Sequence, residues 1–216
     1  MKIMKTIIEK IDKNQKNTDI IREAGRILKE GGLVAFPTET VYGLGADALN
    51  EDAAKKIYAA KGRPSDNPLI IHITNMKALD KIVSEVPEKA VKVAEKYWPG
   101  PLTMIFNKSD IVPYGTTGGL DTVAVRMPVD EIAREVIDAG GGYIAAPSAN
   151  TSGRPSPTTA QHVAEDLTGR VDMIVDGGAV EIGVESTILD VTVEPPMILR
   201  PGAITIEVFE EVIGEV

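Results

Sequence analysis

Strands and helices alternate through the first half of the 216-residue chain, and short strands cluster in the second half. Together these predict an α/β protein of the mixed α+β kind, with a twisted mixed β-sheet flanked by helices on both faces. No internal repeat, low-complexity segment or interdomain linker interrupts the pattern, so the expectation is one domain over residues 1–216. Hydrophobic content of 43% and charged content of 25% suit a globular core of that size.

The elements follow in order. A first strand is expected over 3–8 and a helix over 19–30, with Ile20, Ile21, Ala24, Ile27 and Leu28 on one face and Thr18 as N-cap. Gly31 and Gly32 stop that helix and lead into a strand over 33–36, which turns at Pro37. Thr38, Glu39 and Thr40 come next, where α/β sheets bind small molecules; Gly43 and Gly45 read either as backbone that approaches a ligand closely or as a tight strand-to-helix connection that serves only the turn. Asn50 caps a helix over 51–60, and an apolar strand covers 69–73. Pro87 opens a helix carrying Ala90, Val91, Ala94, Tyr97 and Trp98, with Trp98 read as core; a strand follows over 102–106. A glycine-rich turn over 114–119 precedes a strand over 122–127, a helix over 130–139 and a strand over 143–146. The longest polar loop, 147–158, ends in a short helix through Val163 and Leu167. Strands over 173–175, 186–191 and 197–199 and a helix with Ile206, Phe209, Val212 and Ile213 complete the chain.

Composition excludes several classes of function. Cysteine is absent, which rules out disulfides, thiolate catalysis and cysteine-bound metal. No apolar run is long enough to span a membrane and no secretion signal is visible, so a cytoplasmic location is expected. A net charge of −9 argues against a surface that grips nucleic acid over a wide area. Of the eight arginines, Arg63, Arg154 and Arg200 directly precede a proline, and Arg126 lies two residues before Pro128. Residues before proline are extended, so these side chains leave stiff backbone and suggest a local anion site.

The run Gly43-Leu44-Gly45-Ala46-Asp47-Ala48 fits a dinucleotide fingerprint formally, but six residues separate Phe36 from Gly43, too many for that mechanism. Lys61-Gly62-Arg63 is more specific: a point charge and a planar fork at a helix end suit a polyphosphate, although cations at a helix C-terminus are also common. Ser65 and Asn67, braced by Pro64 and Pro68, add hydrogen-bonding groups. Ser148-Ala149-Asn150 follows a buried strand, and Ser186 and Arg200 stand at the start and end of the last two strands. His72 lies within an apolar strand, where a lone histidine is usually core. With no Ser/His/Asp order or paired carboxylates, the residues point to an anionic, multiply hydrogen-bonded ligand, handled by positioning and charge stabilisation.

Six ordered segments, 36–45, 61–64, 98–103, 125–128, 147–150 and 199–202, resemble the YrdC family of L-threonylcarbamoyladenylate synthases over about residues 18–205. Lys61 and Arg63 match its K-x-R signature, Ser148 and Asn150 its S-x-N signature. The resemblance implies a three-layer fold with a deep, positively charged cavity. It also implies that L-threonine, bicarbonate and ATP give threonylcarbamoyl-AMP and pyrophosphate, for a downstream complex that makes N6-threonylcarbamoyladenosine in tRNA. By motif, Thr40, His72, Arg126 and Ser186 would hold threonine. Lys61, Arg63, Asn67, Thr122, Ser148, Asn150, Ser156 and Arg200 would hold ATP, with Mg²⁺ on its phosphates and no metal site in the protein. Lys61 and Arg63 would be the catalytic pair. Longer members carry a further C-terminal domain, whose absence after Val216 is expected to remove whatever that domain provides. The rival expectations are an RNA-binding module of the same fold and a paralogue that binds nucleotide without making the adenylate.

Overall fold

The computed structural model describes residues 5–12 and 17–216. Part of the strand expected over 3–8 lies outside them; the described strand, β1, is Ile7–Lys10. Helix α1, Thr18–Lys29, begins after Asn17, so Thr18 is its first residue and not its cap; it buries Ile21, Ala24, Ile27 and Leu28. Strand β2 is Val34–Phe36, and β3 is Gly43–Asp47, where the sequence predicts a turn. The glycines serve that strand. A Cβ on Gly45 would stand 2.7 Å from the Phe36 ring and 2.9 Å from Ile144, so only glycine lets these neighbours approach.

Asn50 caps α2, Glu51–Lys61, by accepting from the amides of Asp52 and Ala53, and Gly62 ends it at φ 62°. Strand β4, Ile70–His72, is followed by a 3₁₀ turn, Met76–Ala78, and a short α3, Leu79–Ile82. Helix α4, Glu88–Tyr97, buries Val93 with Ala90 and Ala94, while Val91 is half-buried. Strand β5 is Leu102–Asn107, the glycine-rich segment forms a helical turn, α5, Tyr114–Thr117, and β6 is Thr122–Arg126. Helix α6, Glu131–Ala139, is capped by Asp130; β7, Ile144–Ala145, and α7, Ala160–Leu167, flank the long loop. Strands β8, Met173–Asp176, β9, Thr187–Asp190, and β10, Met197–Arg200, precede α8, Ile206–Ile213.

The described strands join one mixed sheet of ten in the order β1-β8-β2-β3-β7-β4-β6-β5-β9-β10. Because alternate residues of a strand face opposite sides, the register sorts them into two faces. One face, with Leu44, Ala145, Ile71, Val125, Met104 and Leu189, is buried under α2, α4, α7 and α8. On the other, Val34, Phe36, Ile144, Met173 and Val175 are buried under α1 and α6. Those two helices pack on β2, with α1 also reaching β3 and β8. Across β4, β6, β5 and β9 the same face is incompletely covered: Ile70, Ala124, Ile105 and Ile188 are only half-buried. The candidate site lies along this open half.

Candidate functional site on the open half of the sheet

Register places the polar side chains in a row. His72 pairs with Arg126 between β4 and β6, Arg126 with Thr103 between β6 and β5, Thr103 with Ile188 between β5 and β9, and Ile188 with Arg200 between β9 and β10. His72, Arg126, Thr103 and Arg200 therefore share one side of the sheet. Thr122, four residues before Arg126 on β6, shares it too, about 13 Å along the strand.

Arg126 is the hub. Its Nη1 donates to Thr40 Oγ1 at 2.8 Å, and its Nη2 to Glu39 Oε1 at 2.5 Å, in a buried ion pair. Thr38 shares a 2.9 Å hydrogen bond with Thr40 and donates to the carbonyl of Val41, which turns the 38–41 loop back on itself. The amides of Ile182 and Gly183 clamp the loop from outside through the carbonyls of Glu39 and Thr40. Burial, with Arg126 close by, pushes His72 down to about 3, so its imidazole is neutral at ordinary pH. Its Nδ1 lies 3.1 Å from the carbonyl of Ile70, which fits a donating N–H there.

Farther along, Ser186 and Thr103 share a 2.7 Å hydroxyl contact, and Arg200 donates to the carbonyl and the hydroxyl of Ser186. Ser156 donates to Glu185 at 2.5 Å, and this bond holds the Glu185 carboxyl below its usual range. Burial pushes the Arg200 guanidinium down; Arg126 and Arg63 add to the effect while Glu185 opposes it. Arg200 thus stands within electrostatic reach of both Arg126 and Arg63, with Glu39 and Glu185 offsetting part of that positive charge.

The K-x-R and S-x-N residues divide into two roles. Lys61 is 1% exposed, and its ammonium donates to the carbonyls of Ser148 and Asn150, with Asn150 Oδ1 at 3.4 Å. The amide of Asn150 in turn donates to the carbonyls of Thr151 and Arg154. The three donors of an ammonium are thus committed to protein oxygens, and Lys61 and Asn150 act as a brace between the end of α2 and the polar loop. Burial, then Arg63, pushes Lys61 down to about 7. Arg63 is more open; it donates to Asn67 Oδ1 at 2.5 Å and to the Pro68 carbonyl at 3.1 Å, which aims its fork along the braced loop. Ser148 is half-buried and pairs with Gly43 of β3 through an isolated backbone bridge.

Arg154 does not join the other loop arginines. Its side chain is 64% exposed and pairs with Asp166 on α7. Three features absent from the sequence reading of the site stand in it: Thr103, Glu185 and the pairing with Arg126 of Glu39, which the sequence places only beside the strand end. Strand parity could have found Thr103; the other two depend on tertiary contacts. A cavity of about 1170 Å³ opens between α1, α6 and residues 177–181, with Thr38 and Glu39 in its wall, but Lys61, Arg63, His72, Ser148, Ser186 and Arg200 do not line it.

The fold and this row of residues define a class. The sequence model of the Sua5/YciO/YrdC family, described as telomere recombination, matches residues 26–202, and the chain belongs to that family. It is 58% identical over 196 residues to the threonylcarbamoyl-AMP synthase of Pyrococcus abyssi (strain GE5 / Orsay), covering 91% of this chain and 58% of that protein. Its identity to the threonylcarbamoyl-AMP synthase of Bacillus subtilis (strain 168) is 52% over 217 residues, covering 100% of this chain and 63% of the relative. The crystal structure of P. abyssi Sua5 complexed with L-threonine superposes with a TM-score of 0.90 at 55% identity, over 99% of this chain and 62% of that one. The chain thus spans about three fifths of the length of these relatives.

Proposed function

We propose that the chain makes threonylcarbamoyl-AMP from L-threonine, bicarbonate and ATP, releasing pyrophosphate. The observation that supports this most is the polar row on the open half-face, where Arg126, Arg200 and Arg63 converge beside hydroxyls and a neutral histidine. Relatives above 50% identity named for this activity point the same way. Threonine would sit near Thr40, His72, Arg126 and Ser186, the hydroxyl-rich end. ATP would lie along the strip toward Thr122 and Asn67, reached by Arg63, Ser148, Ser156 and Arg200.

In this reading the threonine amine attacks bicarbonate and water is lost, giving a carbamate whose oxygen attacks the α-phosphate. Arg63 and Arg200 offset the charge that develops as pyrophosphate leaves, while Lys61 and Asn150 hold the loop that shapes the pocket. ATP would arrive with Mg²⁺ on its phosphates; such ions often take one or two carboxylates besides phosphate and water, and Glu185, between Ser156 and Arg200, suits that need. The product would pass to the machinery that modifies tRNA.

Competition among amino acids tests the substrate. Valine lacks the hydroxyl and leaves buried polar groups unpaired, so its use is expected to be negligible. Serine lacks only a methyl and should be disfavoured by roughly 1–3 kcal/mol. Equal use of valine and threonine in a competition assay would refute the pocket.

A further inference from the structure

The ion pair at the hub is incomplete in a specific way. Glu39 and Arg126 are each only 5% exposed in their side chains and meet at 2.5 Å, yet Glu39 Oε2 and Arg126 Nε have no hydrogen-bond partner among the described residues. Removing one partner from a buried charged group usually carries a large penalty, so an acceptor and a donor left unfilled on one ion pair call for explanation. A zwitterionic α-amino acid has the matching features: an ammonium with three donors and a carboxylate with open lone pairs.

Arginine alone does not select for an amine. A guanidinium attracts carboxylate, bicarbonate and phosphate, whatever else they carry. A carboxylate beside it repels an anion that brings no positive charge and welcomes one that does. Resting on the reading of the substrate as threonine, we propose that Glu39 is a specificity-determining residue. Its carboxylate receives the ammonium of the amino acid while Arg126 receives the carboxylate, and hydroxy acids of the same shape are excluded. The neighbouring hydroxyls of Thr38 and Thr40 are already joined to each other and to Arg126, so they position the pair without filling its two free atoms. Both atoms are sealed from solvent; the ligand therefore enters with a change of rotamer in Glu39 or Arg126, while the clamped 38–40 backbone stays in place.

The competing account gives Glu39 a supporting role only, holding Arg126 in position. Titration calorimetry without ATP separates the two, using L-threonine and the hydroxy acid that carries a hydroxyl where threonine has its ammonium. Wild-type protein should prefer threonine by on the order of 10²-fold, the scale set by leaving a buried charged group unpaired. Glu39→Gln should weaken threonine but not the hydroxy acid, so that the preference falls to within about threefold. An equal loss of both ligands, or an unchanged ratio, would overturn the proposal in favour of support alone. If Glu39→Gln does not fold, Glu39→Asp takes its place: the carboxylate is kept but drawn back, and an undiminished preference would overturn the proposal equally. Wild-type protein that binds no threonine would instead overturn the substrate reading, and the role of Glu39 with it.

Discussion

One face of the sheet is built twice, with opposite results. Under α1 and α6 it presents Val34, Phe36, Ile144, Met173 and Val175, all buried in an apolar cluster. A few strands away, on the same side, it presents His72, Arg126, Thr103 and Arg200 among half-buried aliphatic residues. The strand geometry is the same; the helix cover is not. Where helices lie on the sheet, burial of apolar area stabilises the fold at about 25 cal/mol per Å². Where helix cover is incomplete, the polar groups are still buried but among polar partners, at a desolvation cost visible in the lowered pKa values of His72 and Arg200, and a ligand can take the place of the missing layer. The covered half should therefore answer to measurements of stability, and the open half to measurements of binding.

The largest expected effect lies in the covered half. Phe36 is fully buried, and Phe36→Ala should cost about 3–5 kcal/mol of stability in a denaturant melt. If that variant instead kept its stability and lost only ligand binding, the division between the halves would fail.

His72 sharpens the boundary, because it stands in the open row yet is as buried as the core. Its folded pKa is lowered to about 3 from a usual value of 6.5. A depressed folded pKa means that the unfolded chain binds the proton first, so stability is intact above pH 6.5 and is lost as the pH falls toward 3. The slope approaches roughly 1.4 kcal/mol per pH unit within that window. His72→Gln should flatten the acid limb of stability against pH; an unchanged limb would show that other groups set it.

The smallest effect concerns RNA. With a net charge of −9 and only Arg63, Arg126 and Arg200 brought toward one site, the chain should bind tRNA weakly near physiological salt, in competition with MgATP. A log–log salt plot should be shallower than about −3, given about −0.7 per phosphate for single strands. A steep slope that ATP leaves untouched would reveal a separate RNA surface.

Much of this was legible in the sequence because helices and buried strands announce themselves by period. The 51–60 helix with its Asn50 cap and the apolar strand around Ile71 are examples. Strand β3 was not, since Gly43 and Gly45 carry turn chemistry in sequence, and the close approach of Phe36 and Ile144 that requires them exists only after folding. The site was legible as a set of residue types on stiff backbone, and Arg63, Arg126 and Arg200 do gather. Arg154 shares their sequence context, but Asp166 on α7 offers it a partner elsewhere. Lys61 shows the limit most clearly: a motif lysine beside an arginine reads as a phosphate contact, but nothing in the sequence foretells that its ammonium meets the carbonyls of Ser148 and Asn150. Such pairings over 87 and 89 residues of separation leave no periodic trace.

Turnover measures the central claim directly. Labelled bicarbonate, L-threonine and ATP with Mg²⁺ should be converted to threonylcarbamoyl-AMP and pyrophosphate by the wild-type chain. Arg63→Ala should lower the rate by about 2–4 kcal/mol in the transition state while leaving the melting curve unchanged. Arg63→Lys should recover only part of that loss, because a point charge does not replace a bidentate fork. No labelled adenylate from a folded wild-type chain, or near-normal turnover in Arg63→Ala, would contradict the account.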